Sequence, residues 1–218
     1  MELVLFVSVA LAAYLLGSIP TGFLFGKARG LDIRTLGSGN IGATNVFRHL
    51  GTPAGVCVLV LDALKGYAAC AVVAKVAAHS LSPAIDTSMK EQLSIVAGIA
   101  AILGHNYTCW LGFKGGKGIA TSAGVLVSLL TGPFLVILGV WVIVFAASRY
   151  VSLASVLAAF VLPFATWALE KSRLMILVAA AMGALAIYKH RANIRRLFNG
   201  TEHRISLRKT SAKPESNA

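Results

Sequence analysis

Three stretches of the chain combine glycine with residue types that bind phosphate. The first is Leu36-Gly-Ser-Gly-Asn-Ile-Gly-Ala-Thr-Asn-Val-Phe-Arg48. Its glycines, Gly37, Gly39 and Gly42, let backbone N–H groups curl around an anion. A short helix opening at Gly42 and stopped by Gly51 and Pro53 would offer free N–H groups and a positive dipole end to a phosphate. Asn45 and Arg48, three residues apart, share a face of that helix, and Ser38, Asn40 and Thr44 add hydroxyl and amide groups. The glycines match G-x-G-x-x-G, but a dinucleotide site needs a preceding strand and a βαβ unit, and an apolar run of helical length precedes them here. The bland alternative, a glycine-rich connector, would not need this set of polar side chains together.

The second stretch, Gly104-His-Asn-Tyr-Thr-Cys-Trp-Leu-Gly-Phe-Lys-Gly-Gly-Lys-Gly118, sets Lys114 and Lys117 around Gly115 and Gly116 in a turn that opens a helix at Ile119. It is not a Walker loop, because Gly118 follows Lys117 where Ser or Thr is required. What remains is a seat for a dianion. His105 lies near the end of an apolar run, where a titratable ring is costly. It is either a helix-packing donor or, with Asn106 and two lysines near it, a site residue; the second reading is preferred. The third stretch holds His190, Arg191, Asn193, Arg195, Arg196 and Glu202. Binding of anionic lipid explains Arg195 and Arg196, but not His190, Asn193 or Glu202.

Other chemistries lack their residues. There is no G-x-S-x-G elbow, no H-E-x-x-H and no Cys/His cluster of metal-ligand spacing. Neither metal nor cofactor is expected. Cys57, Cys70 and Cys109 lie unpaired in apolar stretches. None of the five histidines is followed five positions later by Asp, so the His-Asp pair of many acyl-CoA-dependent acyltransferases is missing.

The elements that must position these groups are membrane helices. The 218 residues are 57% hydrophobic and 13% charged, against about 25% charged in soluble domains. Yet the net charge is +12, so apolar and cationic residues must be segregated. Apolar runs long enough to cross at about 20 residues each are Leu3 to Gly26, Thr52 to Ala78, Gln92 to Phe113 and Tyr150 to Leu169, with a shorter one at Leu174 to Tyr188. Asp62 and Lys65, within the second, read as an internal ion pair. Gly22 and Gly26 form a small-residue helix-packing face.

The charge-free run Gly118 to Ser148 is either one tilted helix or a hairpin turning at Gly132-Pro133. The positive-inside rule favours the hairpin. With an external N-terminus, seven crossings put the whole net charge on the cytoplasmic side, together with all three polar stretches. The expected fold is therefore an all-α integral membrane protein of seven transmembrane helices. Residues 1–205 form one domain, and 206–218 a basic, disordered cytoplasmic tail. Five or six crossings are the alternative. Basicity of this kind sets orientation and does not point to nucleic acid.

Taken together, Gly17-Ser-Ile-Pro-Thr-Gly22, Gly37 to Arg48, Gly104-His-Asn, Phe113-Lys-Gly-Gly-Lys-Gly-Ile-Ala-Thr121 and His190-Arg-x-Asn-Ile-x-Arg196 resemble the bacterial glycerol-3-phosphate acyltransferase family that uses acyl phosphate as donor. The likeness runs from Leu3 to about Glu202. It implies an inner-membrane, multi-pass enzyme that moves a fatty acyl group from acyl phosphate to the sn-1 hydroxyl of glycerol 3-phosphate. The products would be lysophosphatidic acid and inorganic phosphate, at the first step of phospholipid synthesis. A functional link to an acyl-phosphate-producing acyltransferase follows, membrane lipid is an expected partner, and the acyl chain would slot between helices. The resemblance carries functional roles to Ser38, Asn45, Arg48, His105, Lys114, Lys117, His190, Asn193 and Glu202. Ser38, Arg48, His105, Lys114, His190 and Asn193 are expected in catalysis. Gly37, Gly39, Asn40, Thr44, Asn45, Gly115, Gly116, Lys117 and Glu202 are expected to bind substrate. The proton acceptor is either His105 or a substrate phosphate, and either phosphate could occupy either loop. The residues leave an organic-phosphate or anion transporter, and a non-catalytic scaffold, as other readings.

Overall fold

The computed structural model describes residues 2–76, 86–170 and 172–205. The expected disordered tail, 206–218, lies outside the described residues, as do the last residues of the second apolar run. Ten helices and no strand occur among the described residues. α1 (Glu2–Ser18) and α2 (Thr21–Lys27) share the first apolar segment. α3 (Ala43–Leu50) follows the first glycine-rich loop. α4 (Thr52–Ala68) continues through a π-turn at Ala69–Val73. α5 (Thr87–Asn106) leads into the second polar stretch. Then come α6 (Ile119–Leu129), α7 (Thr131–Ser148), α8 (Val151–Leu169), α9 (Arg173–Lys189) and α10 (Arg191–Phe198).

The first run is not the single helix expected. It breaks at Ile19-Pro20, where proline lacks the N–H needed to continue a helix. Neighbouring segments take up the freed carbonyls: Thr108 Oγ1 donates to Ser18 O at 2.6 Å and Lys65 Nζ to Ile19 O at 2.9 Å. The expected Asp62–Lys65 pair is present at 2.8 Å, with both side chains buried. Asp62 also accepts from Thr21 Oγ1, at the start of α2, at 3.0 Å. The pair thus sets a cation at the negative end of α1 and an anion at the positive end of α2, as the helix dipoles favour.

The run 118–148 is divided, as the hairpin requires, but at Leu130 (φ −143°, ψ 56°) rather than at Gly132-Pro133. Those two residues begin α7, where proline is tolerated because first-turn N–H groups have no helical partner. α6 has 11 residues, about 16 Å of helix, roughly half the hydrocarbon thickness. It lies instead against α4: Gly66 rests on the Thr121 carbonyl and Gly124 on that of Ala63. The Gly22 and Gly26 face serves helix–helix packing only in part, through Val46 of α3. Gly22 lies on the Ile41 carbonyl and Val46, and Gly26 on Leu31 O, so this face seats the first glycine-rich loop.

Five segments are long and apolar enough to cross a membrane: Glu2–Lys27, Thr52–Val76, Thr87–Leu111, Thr131–Ser148 and Val151–Leu169. α9 and α10, bent by 58° at His190, make a sixth if counted as one span. α7 turns most of its surface outward, with Leu135 61% and Ile143 71% exposed, as a lipid-facing helix would. Glycine contacts bring α1 onto α5 and α9 onto α8.

Candidate functional site

The first loop is held both by amide hydrogen bonds and by an apolar cluster in which Ile33 and Ile41 are buried against Val46, Leu50 and Val58. Asp32 caps a 3-10 turn at Ile33–Thr35 and pairs with Arg34 at 2.7 Å. The Arg34 hydrogen bonds hold its carboxyl down at about 2. Gly37 (φ +54°) and Gly39 (φ +66°) occupy the left-handed region that other residues avoid. Asn45, buried on α3, closes the loop. Its Nδ2 donates to Ile33 O (3.1 Å) and Leu36 O (3.0 Å), and its Oδ1 accepts from Ser38 N (3.2 Å). Asn40 Oδ1 accepts from Gly42 N at 2.8 Å, shaping the entry to α3. Among the described residues the hydroxyls of Ser38 and Thr44 make no hydrogen bond, and neither do the Ala43 and Thr44 N–H groups that open α3. The expected anion seat therefore has free donors, while Asn40 and Asn45 build the loop.

The second loop folds back on the end of α5. Gly115 N donates to Asn106 O at 3.2 Å, and Gly116 N to His105 O at 2.9 Å. Gly118 (φ +77°) turns the chain into α6. Gly116 lies directly on the buried His105 ring, and a side chain there would collide with it. Asn106 is buried against Gly118, with both amide atoms unpaired among the described residues. Lys114 is exposed and makes no side-chain bond among the described residues. Lys117 is half-buried, and its Nζ donates to Asn193 Oδ1. Burial takes the Lys117 ammonium from 10.5 down to about 8; Arg196, Arg48 and Lys189 push the same way, and Glu202 opposes them.

The third stretch completes a network. Asn193 Nδ2 donates to Glu202 Oε1 at 2.7 Å. The same oxygen accepts from Ser152 Oγ at 2.9 Å, and Oε2 pairs with Arg196 at 2.7 Å. Burial would raise the Glu202 carboxyl, but the bonds from Asn193, Arg196 and Ser152 outweigh it and hold the group below its usual range. The residue after Glu202 meets the first motif, where Arg48 Nη2 donates to His203 O at 3.0 Å. Burial pulls the Arg48 guanidinium down, against the opposing effect of Glu202. His190 is buried, with Nδ1 donating to Ala186 O at 2.8 Å, which leaves Nε2 as the acceptor nitrogen of a neutral ring.

Arg48, Lys117, Asn193 and Glu202, from three separate stretches, thus stand in one bonded network. His105 supports the second loop from below, and Lys114 stays outside the network. Three contributors escaped the sequence reading. Ser152 gives no signal, being one serine at the start of an apolar helix. Arg196, assigned there to lipid, is the ion-pair partner of Glu202. Lys189, whose Nζ donates to Asn106 O at 3.0 Å and lies 4.4 Å from the Tyr107 ring centre, ties the last long helix to the second loop.

The family model described as glycerol-3-phosphate acyltransferase matches residues 7–200, which hold nearly all of this network. The chain belongs to the glycerol-3-phosphate acyltransferase family. Glu202 lies just beyond the match, so its place rests on geometry. A glycerol-3-phosphate acyltransferase from Geotalea daltonii is 47% identical over 193 residues, 88% of this chain and 94% of that protein. One from Chlorobaculum parvum is 39% identical, over 94% of this chain and 99% of the relative. Among solved structures, PlsY (YgiH), an integral membrane glycerol 3-phosphate acyltransferase, matches in its glycerol 3-phosphate form with a TM-score of 0.81 and 41% identity. That match covers 92% of this chain and 96% of PlsY. Its lysophosphatidic acid form matches with a TM-score of 0.78 and 40% identity, covering 92% and 95%. The chain is accordingly a multi-pass integral membrane acyltransferase of lipid synthesis. The transporter reading finds no support among these relatives.

Proposed function

We propose that this enzyme transfers a fatty acyl group from acyl phosphate to the sn-1 hydroxyl of glycerol 3-phosphate, at the cytoplasmic face of the inner membrane. The observation that carries this reading is the network itself. It gathers Arg48, Lys117 and the buried donors around Glu202 at one end of the helix bundle, beside a glycine-rich loop with free N–H groups. Two substrates that each bear a phosphate need two anion seats side by side. The Ser38–Thr44 loop with Arg48 is one, and Gly115–Gly118 with Lys114 and Lys117 is the other. The two related PlsY forms, with glycerol 3-phosphate and lysophosphatidic acid, correspond to the acceptor and product of such a reaction.

Acyl phosphate is a mixed anhydride and already activated, so a covalent enzyme intermediate is unnecessary. The sn-1 hydroxyl oxygen attacks the acyl carbonyl carbon, the bond from that carbon to the phosphate oxygen breaks, and inorganic phosphate leaves. The hydroxyl proton passes to a phosphate oxygen. His105 is the weaker candidate base because its ring is buried beneath Gly116. The Ser38 hydroxyl, at the edge of the first seat, stabilises the oxyanion. His190 and Asn193 orient the acceptor, and Glu202 fixes Asn193. The topology is seven passes with the N-terminus outside, α6 and α7 forming the hairpin and α6 being covered by protein rather than lipid. The donor comes from an acyl-phosphate-producing acyltransferase.

The test is donor choice. Purified protein given glycerol 3-phosphate should release inorganic phosphate from palmitoyl phosphate, while acyl-CoA and acyl-carrier protein yield no lysophosphatidic acid. Turnover with acyl-CoA alone would overturn the donor assignment.

A further inference from the structure

Asp62, Lys65 and His105 are buried together inside the first three apolar segments, outside the Arg48–Glu202 network. Asp62 and Lys65 serve the break in the first segment, but that role does not account for the His105 ring buried beside them. The His-Asp pair missing from the local sequence is assembled here across two helices. His105 Nδ1 lies 3.6 Å from Asp62 Oδ1, the only histidine–carboxylate approach among the described residues. That distance is longer than a hydrogen bond, and the buried Nδ1 has no hydrogen-bond partner among the described residues. Asp62 is itself fixed, by Lys65 Nζ at 2.8 Å and Thr21 Oγ1 at 3.0 Å. Lys65 is anchored in turn on Ile19 O, at the break in the first segment.

The opposite side of the ring meets the second loop. A Cβ built on Gly116 would lie 2.9 Å from both Cδ2 and Cε1 of His105, and closer still to Nε2. Gly116 N also donates to the His105 carbonyl, so one residue holds the loop by both backbone and ring. We propose that Asp62 is a positioning residue for the Gly115–Gly118 anion seat, acting through the His105 imidazole. With Asp62 in place the ring stands upright beneath Gly116 and the loop keeps its curvature. Without it the ring can rotate, and the bonds from Gly115 N and Gly116 N to the Asn106 and His105 carbonyls, which set the curvature of the loop, loosen. The proposal rests on the reading of this loop as a phosphate seat.

Two readouts test it in Asp62→Asn. Hydrogen–deuterium exchange at the Gly115 and Gly116 amides should quicken at least about tenfold relative to wild type. The KM of one phosphate substrate, the one seated in this loop, should rise about tenfold, with the other KM unchanged and kcat within about threefold. Because Asp62→Asn leaves the Lys65 charge buried and unpaired, the double variant Asp62→Asn/Lys65→Gln is measured beside it. That variant removes both charges and keeps a donor for Ile19 O. It should elute as wild type and show the same exchange and KM changes. Unchanged loop exchange would overturn the proposal, as would a kcat loss with both KM values intact, which would place Asp62 in the chemistry. The exchange arm needs no turnover, so it separates failure of this inference from failure of the acyltransfer reading.

Discussion

Lys117 gives the most quantitative prediction. Its ammonium is pulled from 10.5 down to about 8 by burial and by neighbouring cations, yet binding a phosphate requires it charged. With a pKa of about 8 in the free enzyme, about nine-tenths of the molecules carry the charge at pH 7 and about one-tenth at pH 9. Since kcat/KM reports the free enzyme, it should fall about tenfold across those two pH units. The substrate phosphates, whose second ionisation lies near pH 6, bend the profile only on its acid side. Lys117→Arg substitutes a group that stays charged throughout. Its kcat/KM will be lower overall, because the bond to Asn193 is remade by a different shape, but the alkaline limb should vanish. The same shift fixes the sign for stability. Between about pH 8 and 10.5 the unfolded chain binds more protons at this lysine, so the Lys117 contribution to stability rises with pH; below that window its penalty is fully present. The assay is phosphate release from palmitoyl phosphate over pH 6.5 to 9.5, with glycerol 3-phosphate varied. A flat profile in the wild type, or the same limb in Lys117→Arg, would refute the assignment of Lys117 to a phosphate.

Other substitutions separate binding from scaffolding. Arg48→Ala should nearly abolish turnover while the protein still inserts and elutes as wild type; an unchanged rate would sink its place in a phosphate seat. Asn45→Ala leaves the Ile33 and Leu36 carbonyls and the Ser38 N–H without their partner, at about 1–3 kcal/mol for the buried Ile33 carbonyl and less for the two groups that water can reach. It should lower the thermal midpoint as well as activity, whereas Arg48→Ala should lower activity alone. Gly116→Ala drives a methyl group into the His105 ring and should raise the KM of one phosphate substrate at near-normal expression; normal kinetics would mean that the loop has room to spare.

The sequence exposed the three glycine-and-charge stretches, the short helix ended by Gly51 and the helix opened at Ile119, because each follows from local turn and capping chemistry. It also exposed the Asp62–Lys65 pair, since i, i+3 spacing lies on one helix face. The break at Ile19-Pro20 was hidden inside a charge-free run, and its compensation comes from Thr108 and Lys65, distant in sequence. Leu130 ends α6 with no glycine or proline of its own, while Gly132-Pro133, the stronger local signal, merely starts the next helix. Gly22 packs on a helix through Val46, but its second contact, the Ile41 carbonyl, belongs to a loop beyond its own helix that no local pattern points to. Ser152 and Arg196 joined the site only through Glu202, a contact that no local pattern encodes. Motif residues were therefore readable where they act through their own backbone, and unreadable where they act through a partner brought in by the fold.

The most direct test of acyl transfer between two phosphate seats is product stoichiometry. Purified protein is incubated with palmitoyl phosphate and glycerol 3-phosphate, and lysophosphatidic acid and inorganic phosphate are measured in the same sample. The structure predicts equal amounts of both, with no phosphate released when glycerol 3-phosphate is omitted. Phosphate release without lysophosphatidic acid, or neither product, would contradict it.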